Sequence, residues 1–206
     1  MKINDSLIIN DFEQAVSKYA GSKYGVAISS GTNAIFLSLM LLKEKGELKD
    51  GDIIKIPNRT YMSVPMSVLN AGLKIKLVDK KWSGAYRLKP TNIYDSAVRF
   101  TKNMYVDDSL YCLSFQYRKA LPIGRGGMVL TDSRENYELL KKMRFNGRTD
   151  GISQSDDIYT IKGWNMYMMP EQAARGLTLM SILPEKNNDI AGYKNYPDLS
   201  RQEIFK

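Results

Sequence analysis

Short apolar strands alternating with helix-period segments predict an α/β fold with a mostly parallel central sheet and helices on both faces, three layers in all. Three observations carry this expectation. Residues 24–28, 53–56, 74–78, 110–114 and 128–131 are compact runs rich in Val, Ile and Leu. Between them lie segments whose apolar residues recur three and four apart. Turn residues such as Gly51-Asp52 and Gly72 separate the two kinds.

The elements follow in order. Residues 11–20 place Phe12, Val16 and Tyr19 at helical spacing and predict an amphipathic entry helix. After the strand 24–28, Ser29-Ser30-Gly31-Thr32-Asn33 opens a strongly apolar helix over 30–45, with a serine or threonine available as N-cap. The turn at Gly51-Asp52 leads into the strand 53–56, then a helix over 61–70 ending at Gly72, then the strand 74–78. A loop rich in Lys, Trp, Gly and Pro precedes a brief strand at 92–94. The strands 110–114 and 128–131 come next, followed by a charged amphipathic helix over 134–145 and a polar loop over 146–164. Pro170 is compatible with the first turn of a last helix, 170–183. Residues 1–184 are expected to form one α/β domain, and 185–206 a polar, poorly ordered tail.

Composition removes several chemistries. The 206 residues include no histidine, which excludes serine–histidine triads, histidine metal sites and imidazole acid–base catalysis. The single cysteine, Cys112, has apolar neighbours and reads as a core thiol; it permits no intrachain disulfide and argues against zinc. Sparse cysteine points to a reducing, cytoplasmic setting. No signal pattern is visible, and the longest apolar run, 34–42, is too short to span a bilayer, so no membrane role is expected. The net charge of +8 is spread along the chain and suits phosphorylated ligands or a solvated basic surface. Zinc-finger, recognition-helix and aromatic RNA-binding signatures are absent, which argues against nucleic acid as a partner.

In an open α/β sheet, ligands gather at the carboxyl ends of strands. Ser30-Gly31-Thr32 stands at such an end, where backbone N–H groups and a hydroxyl at a helix start form an anion site, although the tripeptide is also simply a good helix opening. Tyr61 follows the second strand and could lie over a planar ring or be a half-buried core aromatic. Asp95 closes the 92–94 strand, as a helix cap or as the partner of a ring nitrogen. Ser114 and Lys119 lie five residues apart before the turn Gly124-Arg125-Gly126-Gly127. A buried lysine loses charge and becomes a nucleophile toward carbonyls, whereas a solvated lysine beside a hairpin turn would do nothing.

Further short matches run along the chain in a fixed order. They are Phe12-Glu13 with Tyr19, Ser30-Gly31-Thr32, Gly51-Asp52, Ile56-Pro57, Thr60-Tyr61 and Asp79. Asp95-Ser96-Ala97, Ser114-Phe115 with Lys119, Gly124 with Gly126-Gly127, Gly147-Arg148, Gly163 with Asn165, and Glu171-Gln172-Ala173-Ala174 complete the series. This order resembles the DegT/DnrJ/EryC1/StrS sugar aminotransferases, pyridoxal 5′-phosphate enzymes of fold type I. The resemblance implies that Lys119 forms the Schiff base and moves the substrate proton, and that Asp95 keeps the pyridine nitrogen protonated. It implies that Tyr61 stacks on the ring and that Gly31, Thr32 and Ser114 cradle the phosphate. Asn165 matches a residue reaching the neighbouring subunit's cofactor, which implies a homodimer with shared sites. The implied reaction passes an amino group from an amino acid, usually glutamate, to a nucleotide-linked keto sugar.

The departures are specific. Val98 stands where the family has glutamine, Gln116 where histidine is common, Arg125 in place of glutamate, and Tyr167 in place of arginine. Between Asp79 and Asp95 a family strand and helix are missing, and residues 185–206 stand as a remnant of the small C-terminal domain. A compact aminotransferase is the first expectation. A cofactor-binding but catalytically degenerate member acting through dimer contacts is the second, and a basic polyanion-binding protein the third. The sugar-dehydrating branch replaces the lysine with histidine, a route closed to a chain without histidine.

Overall fold

The computed structural model describes residues 5–205. Helix α1 (Asp5–Ala20) leads to β1 (Tyr24–Ile28), α2 (Gly31–Glu44), β2 (Ile53–Pro57), α3 (Ser63–Asn70) and β3 (Lys74–Val78). Strands β4 (Tyr86–Leu88), β5 (Ile93–Asp95), β6 (Leu110–Ser114) and β7 (Gly127–Thr131) follow, then α4 (Arg134–Met143) and α5 (Pro170–Met180). Most bounds fall within two residues of those read from the sequence.

The main sheet has the order β1-β7-β6-β5-β4, and β2-β3 form a parallel pair. An antiparallel bridge between Lys55 and Lys89 ties that pair to the end of β4. Following the pairings across, β1, β6, β5, β2 and β3 share one direction, while β7 and β4 run against it. The expected mostly parallel sheet therefore holds for strand direction, and the two reversed strands make the neighbouring pairs mixed. The sequence alone predicts loop where β4 stands. Its three residues pair antiparallel with β5, with Tyr86 opposite Asp95, and it occupies the slot between β5 and β2.

Strands β1, β6 and β7 are buried on both faces, as expected for central strands. Val26, Ile28, Cys112 and Val129 face α2, α3 and α4 on one side. Ala27, Tyr111, Leu113, Met128 and Leu130 face α1 and α5 on the other. Phe12, Val16 and Ala20 repeat every four residues and seat α1 in this second layer. Helix α5 can approach α1 because Gly176 carries no side chain; a Cβ there would meet Phe12 Cε2 at 2.4 Å.

A buried ion cluster fastens α1 to the sheet. The Glu13 carboxylate, 4% exposed, accepts the Ala27 backbone N–H at 2.8 Å and pairs with Lys141 at 3.2 Å and with Arg144. Arg144 also donates to the Ala27 carbonyl at 2.6 Å, and Lys141 reaches Asp150 at 3.0 Å. Each charge in the cluster has a partner, which is the condition for tolerating it in a low-dielectric interior.

Residues 185–205 correct the expectation of a poorly ordered tail. Asp189 forms a two-pronged pair with Arg99, at 2.8 and 2.7 Å. Ile190 N–H donates to Val98 at 3.0 Å, and Tyr193 N–H to Trp82 at 3.0 Å. Leu199 is 3% exposed and its N–H donates to Asn58 at 2.8 Å. The segment is polar, but its polar groups find distant partners, so it packs.

Removing one member of a buried, hydrogen-bonded pair strands the other. Glu13→Ala or Arg144→Ala should each lower unfolding free energy by about 3–5 kcal/mol, read as a lower urea midpoint at unchanged slope.

Candidate functional site

Six of the seven residues singled out in the sequence line one cavity of about 620 Å³: Gly31, Thr32, Tyr61, Asp95, Ser114 and Lys119. Asn165 does not. It is exposed and bridges Phe145 outside the cavity.

The floor is the start of α2. Ser30 caps the helix, its side chain accepting the Asn33 N–H at 3.1 Å. Gly31 touches the end of β6, where a Cβ would meet the Ser114 Cβ at 2.7 Å. The Thr32 and Ser114 hydroxyls hydrogen-bond to no other described residue and remain available beside the positive helix end. That arrangement can receive an oxyanion.

Lys119 sits on a tight excursion after β6. Phe115 N–H donates to Gly126 at 2.9 Å, Tyr117 N–H to Gly124 at 3.1 Å, and Lys119 N–H to Gln116 at 2.8 Å. Gly124 and Gly126 have φ of 102° and 145°, conformations that L side chains rarely adopt. The loop turns the Lys119 side chain into the cavity rather than out to solvent. Burial depresses its pKa, with the Asp95 carboxylate opposing the effect. A larger share of uncharged amine is thus present near neutral pH.

Asp95, 6% exposed, ends β5 as expected. Burial raises its pKa, while hydrogen bonds from Tyr86 and the Ala97 N–H, and the charge of Lys119, work the other way. Tyr86 donates to Asp95 Oδ2 at 2.7 Å, and Ala97 N–H to Oδ1 at 3.0 Å. Tyr86 also shares a hydrogen bond with the buried Thr60 hydroxyl. Asp95 is therefore no helix cap. It is a buried acceptor whose nearest compensation would be a cation in the cavity. Tyr86 is absent from the residues the sequence singles out, because it lies on the short β4 and its one signal is an aromatic nine residues before the aspartate; Thr60 stands in the motif series beside Tyr61 but without a role.

Tyr61 is 59% exposed at the rim, consistent with a ring free to stack. Trp82 packs against both Tyr86 and Tyr196, with centroids 4.7 and 5.6 Å apart. Tyr196, Ile190 and Ala191 bring the C-terminal segment into the cavity wall. Val98 is buried at the lining, and Arg118 and Arg125 add positive charge on the Lys119 side. Cys112 lies in the core behind the site, where burial pushes its thiol up to about 12.

A cavity with a helix end and hydroxyls open to an oxyanion, a lysine whose pKa burial lowers and a buried carboxylate is suited to a phosphorylated carbonyl compound bearing a basic nitrogen. Comparisons with known proteins point the same way. GDP-perosamine synthase of Caulobacter vibrioides is 24% identical over 220 residues, covering 86% of this chain and 57% of that protein. The structure of AtS13 from Actinomadura melliaura superposes with a TM-score of 0.74 at 18% identity, covering 85% of this chain and 60% of that one. GDP-4-keto-6-deoxymannose-3-dehydratase, solved with a trapped PLP–glutamate geminal diamine, gives 0.72 at 20% identity, covering 86% and 61%. The chain thus spans about 60% of the length of these relatives. The model of the DegT/DnrJ/EryC1/StrS aminotransferase family matches residues 6–106 and 102–191, nearly the whole described chain, and the chain belongs to that family.

Proposed function

We propose that this chain binds pyridoxal 5′-phosphate and transfers an amino group from an amino acid, glutamate, to a nucleotide-linked keto sugar. The observation that carries the reading is the meeting of Lys119, Asp95 and the free hydroxyls of Thr32 and Ser114 around one cavity. The residues present suit the cofactor: the cradle matches a phosphate, the buried Asp95 a protonated ring nitrogen, and Lys119 an aldehyde.

When bound, the cofactor supplies a carbonyl carbon open to amines and a ring that withdraws electrons. The protein's part is electrostatic and positional. Gly31, Thr32 and Ser114 would hold the phosphate, and Tyr61 would stack on the ring. Asp95 holds positive charge at its buried oxygens, and Tyr86 keeps that carboxylate oriented. Lys119 would present its amine to the cofactor's carbonyl carbon and would hold or pass a proton at Nζ. Trp82, Tyr196 and Ile190 exclude water from that side.

Asn165, exposed on the molecule's outside, is read as reaching the cofactor of a second subunit in a homodimer. Residues 1–184 are read as the cofactor domain, to whose cavity Ile190, Ala191 and Tyr196 add a wall. A catalytically degenerate cofactor binder is the second reading, favoured by the apolar Val98 at the lining.

Added pyridoxal phosphate should give a visible absorption band with the wild type and none with Lys119→Ala; indistinguishable spectra would overturn the assignment of Lys119. Glutamate should bleach the wild-type band if the chain is a competent transaminase. A band that persists with every amino donor tried would support the degenerate reading instead.

Tyr86→Phe removes a hydrogen bond that lowers the Asp95 pKa, so that pKa should rise. The ionised carboxylate is then lost at a higher pH on acidification. The acid limb of cofactor binding should move to higher pH. An unmoved acid limb, in a variant that melts like the wild type, would remove Tyr86 from the site.

A further inference from the structure

Strands β2, β3 and β4 are covered on one face only. Ile54 and Ile56 point into the core with α2 and α3, whereas α1 and α5 pack over the other half of the sheet. Parallel strands are ordinarily buried on both faces, so an open face on β2-β3 calls for a reason.

The residues on that face are basic. Lys55 pairs in register with Lys76 on β3 and bridges Lys89 beyond β4, which makes a row of three lysines across neighbouring strands. Strands lie about 4.8 Å apart, and like charges directly opposite one another are destabilising. Lys74, two residues before Lys76, shares the face. Lys55, Pro57, Val78, Lys80, Arg87 and Lys89 line a cavity of about 150 Å³. None of the cations Lys55, Lys74, Lys76, Lys80, Arg87 and Lys89 forms an ion pair with a described residue.

Two details show a prepared site rather than a scatter of surface charge. Arg87 is held by donating to the carbonyls of Thr91, at 2.5 Å, and Pro90, at 3.0 Å, so its guanidinium is fixed before any ligand arrives. Lys80 is half-buried, and burial together with Lys89 depresses its pKa, the mark of a cation lacking an anion.

We propose that this cavity binds a diphosphate group, free or carried by a nucleotide. Its four lining cations, Lys55, Lys80, Arg87 and Lys89, supply positive charge without a competing carboxylate. Its volume exceeds that of a single water-sized ion, for which about 10–15 Å³ suffices, and admits a two-phosphorus anion. The site lies on the opposite sheet face from Tyr86 and does not depend on the pyridoxal phosphate reading.

The test is thermal melting and calorimetric titration at constant ionic strength, with inorganic pyrophosphate as the probe. Wild type should melt higher as pyrophosphate is added. In Lys55→Gln/Lys89→Gln the affinity should fall by about tenfold or more, the effect of losing charged hydrogen bonds. The same variant, without ligand, should melt higher than wild type because the like-charged row is broken. Lys74→Gln, outside the cavity lining, should keep the pyrophosphate response. A guanosine diphosphate response stronger than that of pyrophosphate, and equally lost in the double variant, would assign a nucleotide as the source; an equal response would assign the free diphosphate. The proposal is overturned if wild type does not respond to pyrophosphate, or if the double variant responds in full. Binding of duplex DNA without a pyrophosphate response would also overturn it, by making the face a diffuse polyanion surface.

Discussion

The close approach of the α2 start to the ends of β6 and β7 is the constraint on which the rest of this molecule depends. It rests on two residues without side chains. A Cβ on Gly127 would lie 2.4 Å from the Ser30 carbonyl carbon, and one on Gly31 would lie 2.7 Å from the Ser114 Cβ. Neither glycine has a positive φ, so room, and not backbone freedom, is what they provide. Farther along the helix, the buried Ser38 hydroxyl meets Cys112 on β6 at 3.4 Å. The helix that presents the oxyanion cradle is thereby registered against the strand that leads to Lys119. Because both are central elements of a close-packed core, neither can shift alone.

A second relationship, between Asp95 and Lys119, gives the cavity its polarity. Each group is partly or fully withdrawn from water, and each moderates the effect of burial on the other. The carboxylate is held by Tyr86, itself bonded to Thr60, and by the Ala97 N–H, whereas the lysine stands on a loop closed by glycines. One end of the cavity is thus a hydrogen-bonded carboxylate, and the other an amine on a loop closed by backbone hydrogen bonds. This division suits a group that is gripped at one end while bonds change at the other.

The central strands were legible because burial on both faces leaves an almost continuous apolar run. Helix α2 was legible from its serine cap and apolar length. Strand β4 was not, since Tyr86-Arg87-Leu88 is too short to show a period and owes its existence to pairing with β5. The start of α3 was read two residues early, because Met62 provides no side-chain cap to mark it. The cavity residues were found through an ordered series of short motifs, yet Tyr86 escaped, as its contact with Asp95 depends on that unforeseen strand. The tail escaped for a related reason. Asp189 is an ordinary polar residue until Arg99, ninety positions away, is placed beside it.

That tail has a kinetic meaning. A wall formed by Ile190, Ala191 and Tyr196 is supplied by the same chain that carries Lys119, so its local concentration is set by a covalent tether and is independent of how much protein is present. At any dilution this side of the cavity stays sheltered. Opening it requires breaking the Arg99–Asp189 pair and lifting Leu199 from its seat, a local unfolding event rather than a dissociation.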